Sequence, residues 1–216
     1  MENIKEFLEI AYYISGILLV WVAYLALGQI KVARQQLEEQ KKSLKITSKR
    51  DALKLTSEQV TNYGINIIPL QSTLEVAINK HGVTFFKNSK VEINGAEIKV
   101  TPPQDEKELE KIELIVKDFT NVMNALEGFA VYFASGVANE KLAYQSLAKT
   151  YCHHLQKYMP LLVMIDAGNK RFSASMFLFN AWHSRLVAEE LAMERAKINE
   201  KIKSHKTHTI STVGET

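Results

Sequence analysis

The sequence has few of the residues that build covalent frameworks or low-complexity chains. Cys152 is the single cysteine among 216 residues, so no internal disulfide can form and nothing indicates an oxidising compartment. Glycine and proline are also scarce, with nine and four residues, which excludes a collagen-like chain. The length leaves room for one domain and an appendage.

The standard catalytic signatures are missing as well. The sequence contains no Walker A loop, no G-x-G-x-x-G, no G-x-S-x-G and no paired C-x-x-C. Cys152, His153 and His154 are adjacent, and adjacent residues on a helix point about 100° apart, so one metal ion cannot collect all three. Asp166 and Asn169 to Arg171 are interpreted as a polar surface turn. We therefore expect a protein that is not an enzyme and has no cofactor and no metal.

An excess of positive charge is missing from the larger part of the chain. Residues 51–216 carry equal numbers of basic and acidic side chains, so the net charge of +3 arises within the first 50 residues. A protein that grips a long phosphate backbone needs clustered positive charge. No extended nucleic acid is expected as a ligand, whereas a small anionic signal molecule needs only two or three cations and stays open.

One long apolar run dominates the N-terminal region. Ile10 to Ile30 contains no formal charge and would form a helix roughly 31 Å long, about the thickness of the hydrocarbon core of a bilayer. Its ten Leu, Ile and Val residues favour insertion by about 3 to 6 kcal/mol. A buried core helix and a cleaved signal peptide are the alternatives. The lack of a polar face argues against the first, and the length and the acidic leading segment argue against the second. We expect a single-pass transmembrane helix.

The distribution of basic residues predicts the orientation of this helix. Only Lys5 precedes it, whereas seven basic residues follow it: Lys31, Arg34, Lys41, Lys42, Lys45, Lys49 and Arg50. Basic residues stay on the cytoplasmic side. The sequence therefore predicts a protein of the bacterial inner membrane with its C-terminal domain in the cytoplasm.

Four regions are expected along the chain: residues 1–30 with the span at about 10–30, a basic juxtamembrane helical stalk at 31–50, a cytoplasmic helical domain at 51–203, and a disordered tail at 204–216. Ile30, Leu37 and Leu44 recur every seven residues in the stalk, which leaves an oligomer open. The lipid bilayer, a protein partner encoded nearby and a second copy of the chain are the partners that we consider.

The predicted fold class is mainly α, with a small β insertion at about 83–100. A helix is expected from Ser48 to Lys80, bent or interrupted by Gly64 and Pro69. VTFF, KVEI and AEIKV are β-prone runs, and Asn94-Gly95 predicts a type I′ turn between the last two. Val91, Ile93, Ile98 and Val100 can share one face of this hairpin.

Three further helices are expected in the domain. The first begins at Asp105 and ends at Ser135-Gly136. The second runs from about Asn139 toward Met159-Pro160, and the third from about Ser173 to Lys203.

One carboxylate stands out on an otherwise apolar helix face. Glu127 lies between Leu126 and Phe129, where a buried carboxylate needs a partner or a raised pKa. The favoured interpretation is an ion pair with Arg185. A ligand-binding pocket formed by Asn124, Glu127, Trp182 and Arg185 is the second, and general acid or base chemistry at Glu127 is the third.

The arrangement of segments resembles a group of small single-pass bacterial membrane proteins with a cytoplasmic helical domain of unknown function. The residues that carry the resemblance are SKRDALKLTSEQV with IIPL, NALEGFAVYFASGVANEKLA and FNAWHSRL, within Ser48–Leu70, Asn124–Ala143 and Phe179–Leu186. Such proteins are similar to membrane effectors found beside antiviral modules, including retron and CRISPR-associated systems. The resemblance implies no catalytic residues and does not extend to the β insertion.

The resemblance and the single span together predict a membrane-anchored, non-enzymatic effector of antiviral defence by abortive infection. Such an effector compromises the inner membrane when it is triggered. The alternative is a membrane-tethered adaptor or sensor that holds a cytosolic partner or binds a small anionic signal molecule.

Overall fold

A computed structural model describes residues 2–94, 97–103, 105–165 and 170–205. The chain is mainly helical with one small antiparallel hairpin, as the sequence predicts. It divides into two compact units, Met1–Asp51 and Ala52–Thr216. The predicted Asn94-Gly95 turn, the loop at 166–169 and most of the predicted tail lie outside the described residues.

The first unit is part of a single long helix, α1, which runs from Glu2 to Asn62. Within the described residues, one continuous helical stretch, Ile4–Lys80, is long and apolar enough to cross a membrane, judged by length and composition. Its most apolar window has a mean hydropathy of 2.0, and none of that window is buried. This exposure is unlike that of a core helix, so the segment is a candidate membrane span.

A π-helical turn, Tyr63–Ile67, follows α1 and leads directly into α2, Ile68–Lys80. The interruption predicted at Gly64 and Pro69 is therefore a π-helical turn, and the helix is not broken there. Pro69 has no amide hydrogen, and its ring would clash with the carbonyl four residues earlier in a regular α-helix. The Ile68 amide donates to the Tyr63 carbonyl instead, which widens the turn and directs both Tyr63 and Ile67 into the core.

The β insertion is smaller than predicted. Residues Phe85–Asn88 form a helical turn, α3, so the expectation of a strand at VTFF is wrong. Phe85 is buried, and the hydroxyl of Ser89 donates a hydrogen bond to the Phe85 carbonyl. This run forms a helical turn because the packing of its aromatic rings outweighs its local β propensity.

The other two β-prone runs form the predicted hairpin, with strands β1, Lys90–Asn94, and β2, Glu97–Thr101. Its register pairs Val91 with Val100 and Ile93 with Ile98, and all four side chains pack against the core. The shared apolar face of the hairpin is therefore confirmed.

Helix α4 runs from Glu106 to Ala134 and begins and ends where the sequence predicts. The side chain of Asp105 accepts a hydrogen bond from the Lys107 amide at 3.0 Å and caps the helix. Gly136 follows the helix with a φ of +74°, a backbone conformation that glycine adopts without strain.

The last two helices are α5, Glu140–Ile165, and α6, Ser173–Ser204. Helix α5 continues five residues beyond Pro160, so the expected end at Met159-Pro160 is wrong. Pro160 is buried, and its packing outweighs the one backbone hydrogen bond that a proline removes.

The centre of the core of the second unit is a cluster of aromatic rings contributed by the π-helical turn, α4, α5 and α6. Trp182 of α6 is fully buried and its ring lies 5.3 Å from that of Tyr151 on α5 and 6.4 Å from that of Phe129 on α4. The ring of Tyr63 contacts Phe129 from the π-helical turn at 5.1 Å. The cluster fixes the positions of α4, α5 and α6, and so the position of the candidate site.

Candidate functional site between α5 and α6

Glu127 caps the first turn of α6. One carboxylate oxygen accepts the Ala174 amide at 3.0 Å and the other accepts the Ser175 amide at 2.8 Å. Helix α6 has no capping side chain of its own at Phe172, so a residue of α4 supplies the acceptor. The negative charge also lies at the positive end of the helix dipole.

The predicted ion pair between Glu127 and Arg185 is therefore wrong. Both oxygens of Glu127 face backbone amides, and Arg185 pairs with Glu140 at the start of α5. A carboxylate that already accepts two amides is poorly placed to act as a general base.

A second polar cluster surrounds Glu140. Its Oε1 accepts the indole N–H of Trp182 at 2.7 Å and lies 3.2 Å from Nη1 of Arg185. The guanidinium carbon of Arg185 lies 4.3 Å from the centre of the Tyr144 ring, a cation–π contact. The cluster therefore ties the start of α5 to the middle of α6.

The four predicted site residues do not form one pocket. Trp182 and Arg185 meet at Glu140, Glu127 lies at the N-terminus of α6, and Asn124 is exposed on α4. Glu140 and Tyr144 also belong to this cluster, and neither was predicted to be a site residue. A buried tryptophan needs an acceptor for its N–H, which is a signal, but the sequence does not say which carboxylate supplies it.

A surface groove of about 530 Å³ lies beside this cluster, between α5 and α6. We call it the α5/α6 groove. Three cationic side chains, those of Lys141, Lys149 and Arg185, line it together with the carboxylate of Glu189 and the ring of Tyr144. The groove is open to solvent and mixed in charge, which suits a peptide segment or a small anion.

Two buried groups near the groove, the phenol of Tyr144 and the thiol of Cys152, are held neutral. Burial, followed by the nearby carboxylate of Glu189, raises the pKa of Tyr144 to about 12. Burial raises the pKa of the Cys152 thiol to about 12, and this side chain is only 4% exposed. Neither group supplies a base or a thiolate nucleophile near neutral pH.

The histidines beside Cys152 point in different directions. His153 is exposed, whereas His154 is half-buried and stacks on Tyr158 with ring centres 6.4 Å apart. Burial, with the neighbouring His153, lowers the pKa of His154. Among the residues that the structure describes, no group of three or more His, Cys, Asp or Glu side chains is placed to hold a metal ion.

No protein family, no curated protein and no solved structure matches the chain.

Proposed function

We propose that the protein is anchored in the bacterial inner membrane by residues 10–30, with its helical domain in the cytoplasm. The observation that carries this proposal is the uncharged window of α1, none of which is buried. An apolar surface of this extent is unfavourable in water and matches the hydrocarbon thickness of a bilayer. The seven basic residues that follow it support the orientation.

The activity that we propose for this anchored protein is that of an antiviral effector that compromises the membrane when triggered. The resemblance of its segments to defence-associated membrane proteins supports this function. The span also has a feature suited to close helix association, since Gly16 and Ser15 leave a notch between Tyr12, Tyr13 and Leu19. Small residues let helices approach closely in lipid.

Gly16 offers a sharp test of this activity. A Cβ added there meets no atom within 4 Å, so Gly16→Ile leaves the helix intact and keeps the span apolar while filling the notch. Leu19→Ile is a matched control that changes shape without filling it. Each variant is expressed with its genomic neighbours during phage infection, and membrane potential is followed with a dye.

The effector function predicts that the wild type and Leu19→Ile depolarise infected cells and that Gly16→Ile does not. Unchanged potential in wild-type cells that still die would overturn the membrane mechanism. Membrane fractionation of each variant separates a failure of this activity from a failure of insertion.

The α5/α6 groove favours a second candidate function, a tethered adaptor or sensor. Its cationic side chains Lys141 and Lys149 are exposed and face a recess next to Arg185. Such a groove can hold a short partner segment or a small anion without any change in the membrane.

This adaptor function predicts that an unrelated hydrophobic span in place of residues 10–30 preserves activity. It also predicts that Lys141→Glu with Lys149→Glu abolishes activity while leaving membrane localisation intact. The effector function predicts the loss of activity on exchange of the span, so the two experiments together distinguish the candidates.

A further inference from the structure

The second half of α6 is exposed along its length, and only its first two turns, up to Met193, border α5 across surface grooves. Residues 187–204, which we call the α6 extension, are exposed throughout, and four of them are large aliphatic side chains at helical spacing. Val187, Leu191, Ile198 and Ile202 are 40%, 60%, 57% and 65% exposed. An exposed row of aliphatic side chains is unfavourable in water and often marks an interaction surface.

These four side chains lie on one narrow stripe. At about 100° per residue they fall within an arc of roughly 60°. The side chains by which the first half of α6 enters the core are centred on the other side of the helix on the same count: Trp182 lies about 170° and Leu178 about 150° from the middle of the stripe. Beyond Val187, which borders α5, the stripe therefore does not continue the contact of α6 with the described part of its domain.

The stripe is symmetric about its own centre, the bond between Glu194 and Arg195. Leu191 precedes Glu194 by three residues and Ile198 follows Arg195 by three. Val187 and Ile202 lie seven residues away on either side. If two such helices run antiparallel, each aliphatic side chain of one meets an aliphatic side chain of the other, which is the self-complementarity that a two-fold interface requires.

The charges along one edge of the stripe are arranged about nearly the same centre, offset from it by one residue, and have opposite signs on its two sides. Glu190 and Glu194 lie on this edge before the centre, and Lys197 and Lys201 lie on it after the centre. In an antiparallel pair this edge faces its own copy in reverse, so that the two glutamates of one helix meet the two lysines of the other. In a parallel pair this edge faces the opposite edge of the second helix, where no such acidic and basic blocks occur.

From these observations we propose that two copies of the chain associate through antiparallel pairing of their α6 extensions. The seam is about 24 Å long and buries four aliphatic side chains from each copy. Such an interface is at the small end of the specific range, so association depends on protein concentration. The proposal holds whether or not residues 10–30 cross a membrane.

Cysteine crosslinking of the full chain in detergent micelles tests the pairing. The background variant is Cys152→Ala, which removes the buried native thiol. Glu194→Cys lies beside the two-fold axis and is expected to crosslink with its own copy under mild oxidation. Val187→Cys and Ile202→Cys are each expected to stay monomeric alone, since identical positions lie roughly 22 Å apart, and to crosslink when mixed. Glu200→Cys, on the far side of the helix, is the control.

Self-crosslinking of Val187→Cys would overturn the antiparallel arrangement. Crosslinking of Glu194→Cys no faster than that of Glu200→Cys would overturn the pairing itself. An amine-reactive crosslinker whose products, identified by mass spectrometry, join lysines of the α6 extension to lysines of residues 31–50 instead would overturn it as well, because another segment of the chain would then cover the stripe.

Charge reversal provides an independent test by analytical ultracentrifugation. Lys197→Glu with Lys201→Glu makes the edge wholly acidic, and Glu190→Lys with Glu194→Lys makes it wholly basic. We expect each double variant to self-associate at least ten times more weakly than the wild type, and their mixture to recover wild-type affinity as a heterodimer. Failure of the mixture to associate would contradict the assigned edge.

Arg195 separates the two directions of pairing. It lies on the other edge, next to its own copy in the antiparallel pair and next to Glu194 of the second copy in a parallel pair. We expect Arg195→Ala to tighten self-association several-fold, because it removes a contact between like charges. A weaker association of this variant would indicate parallel pairing and overturn the proposal.

Discussion

At the scale of single residues, Glu108 is the most fully buried charged side chain among those that the structure describes. Its carboxylate accepts the Thr84 amide at 2.8 Å and lies 2.6 Å from the ammonium group of Lys111. Burial alone would raise the pKa of Glu108, but the hydrogen bonds from Lys111 and Thr84 outweigh it and lower the pKa. Glu108 thus holds the loop before α3 against the start of α4.

The lowered pKa predicts how Glu108 stabilises the fold as pH changes. The folded state holds the proton less tightly than the unfolded state, so this contribution is present above the ordinary pKa and is lost as pH falls toward the lowered one. Glu108→Gln is expected to cost about 1–3 kcal/mol near pH 7 and much less near pH 3.5. Urea unfolding followed by circular dichroism measures both values.

Glu110→Gln is the matched control for Glu108, because Glu110 is exposed two residues along the same helix. It should leave the free energy of unfolding nearly unchanged at both pH values. An equal loss for Glu108→Gln at pH 7 and pH 3.5 would show that shape rather than charge accounts for its contribution.

Glu127 shows what a sequence can and cannot predict about a residue. Its place on an apolar helix face correctly indicated that the carboxylate needs a partner. The partner is a pair of backbone amides on α6. Every residue except proline has a backbone amide, so the sequence does not indicate which amides bind a carboxylate. A basic side chain such as Arg185 is visible in the sequence, and it was therefore the predicted partner of Glu127. Arg185 was already engaged by Glu140, which local reasoning treats only as a favourable first-turn acid of α5.

At the scale of elements, the helices were predictable because their apolar periodicity and their caps agree. The helix ends predicted from Asp105, Gly136 and the Asn139-Glu140 pair agree with the observed ends to within about one or two residues. The strand predicted at VTFF was wrong because a short apolar run has no periodicity that separates a strand from a buried helical turn. The π-helical turn at Tyr63 could not be predicted, because a proline indicates that a helix is perturbed but not which form the perturbation takes.

The contact of α4 with the N-terminus of α6 predicts a cost for uncapping. Glu127→Ala leaves two helix amides without an acceptor and is expected to lower the free energy of unfolding by about 1–2 kcal/mol. Glu127→Gln keeps one carbonyl acceptor and should lose less. Thermal and urea unfolding of both variants measures the difference.

Asn124→Ala provides the control for this element, since Asn124 is exposed one turn earlier on α4. If Glu127→Ala costs no more than Asn124→Ala, then the two hydrogen bonds to α6 contribute nothing measurable and water satisfies the amides as well.

At the scale of the whole molecule, the asymmetry of charge around residues 10–30 is the property on which the proposed orientation depends. The leading segment carries Glu2, Glu6 and Glu9 with one lysine, and the segment after the span is strongly basic. Basic residues close to the ends of a span set its direction more strongly than acidic ones do. Lys31 and Arg34 lie closest to the end of the span that we propose to be cytoplasmic.

This asymmetry predicts that the orientation can be reversed by charge alone. We expect the wild-type domain to resist protease added outside intact spheroplasts and to be digested after lysis. Lys31→Gln with Arg34→Gln, combined with lysine at positions 2, 6 and 9, should expose the domain to the outside in a substantial fraction of molecules. The glutamine changes alone separate loss of basic residues after the span from gain before it. A wild-type domain digested from outside, or an intact chain that stays in the soluble fraction, would contradict the anchored arrangement, because neither result is compatible with a span whose basic end faces the cytoplasm.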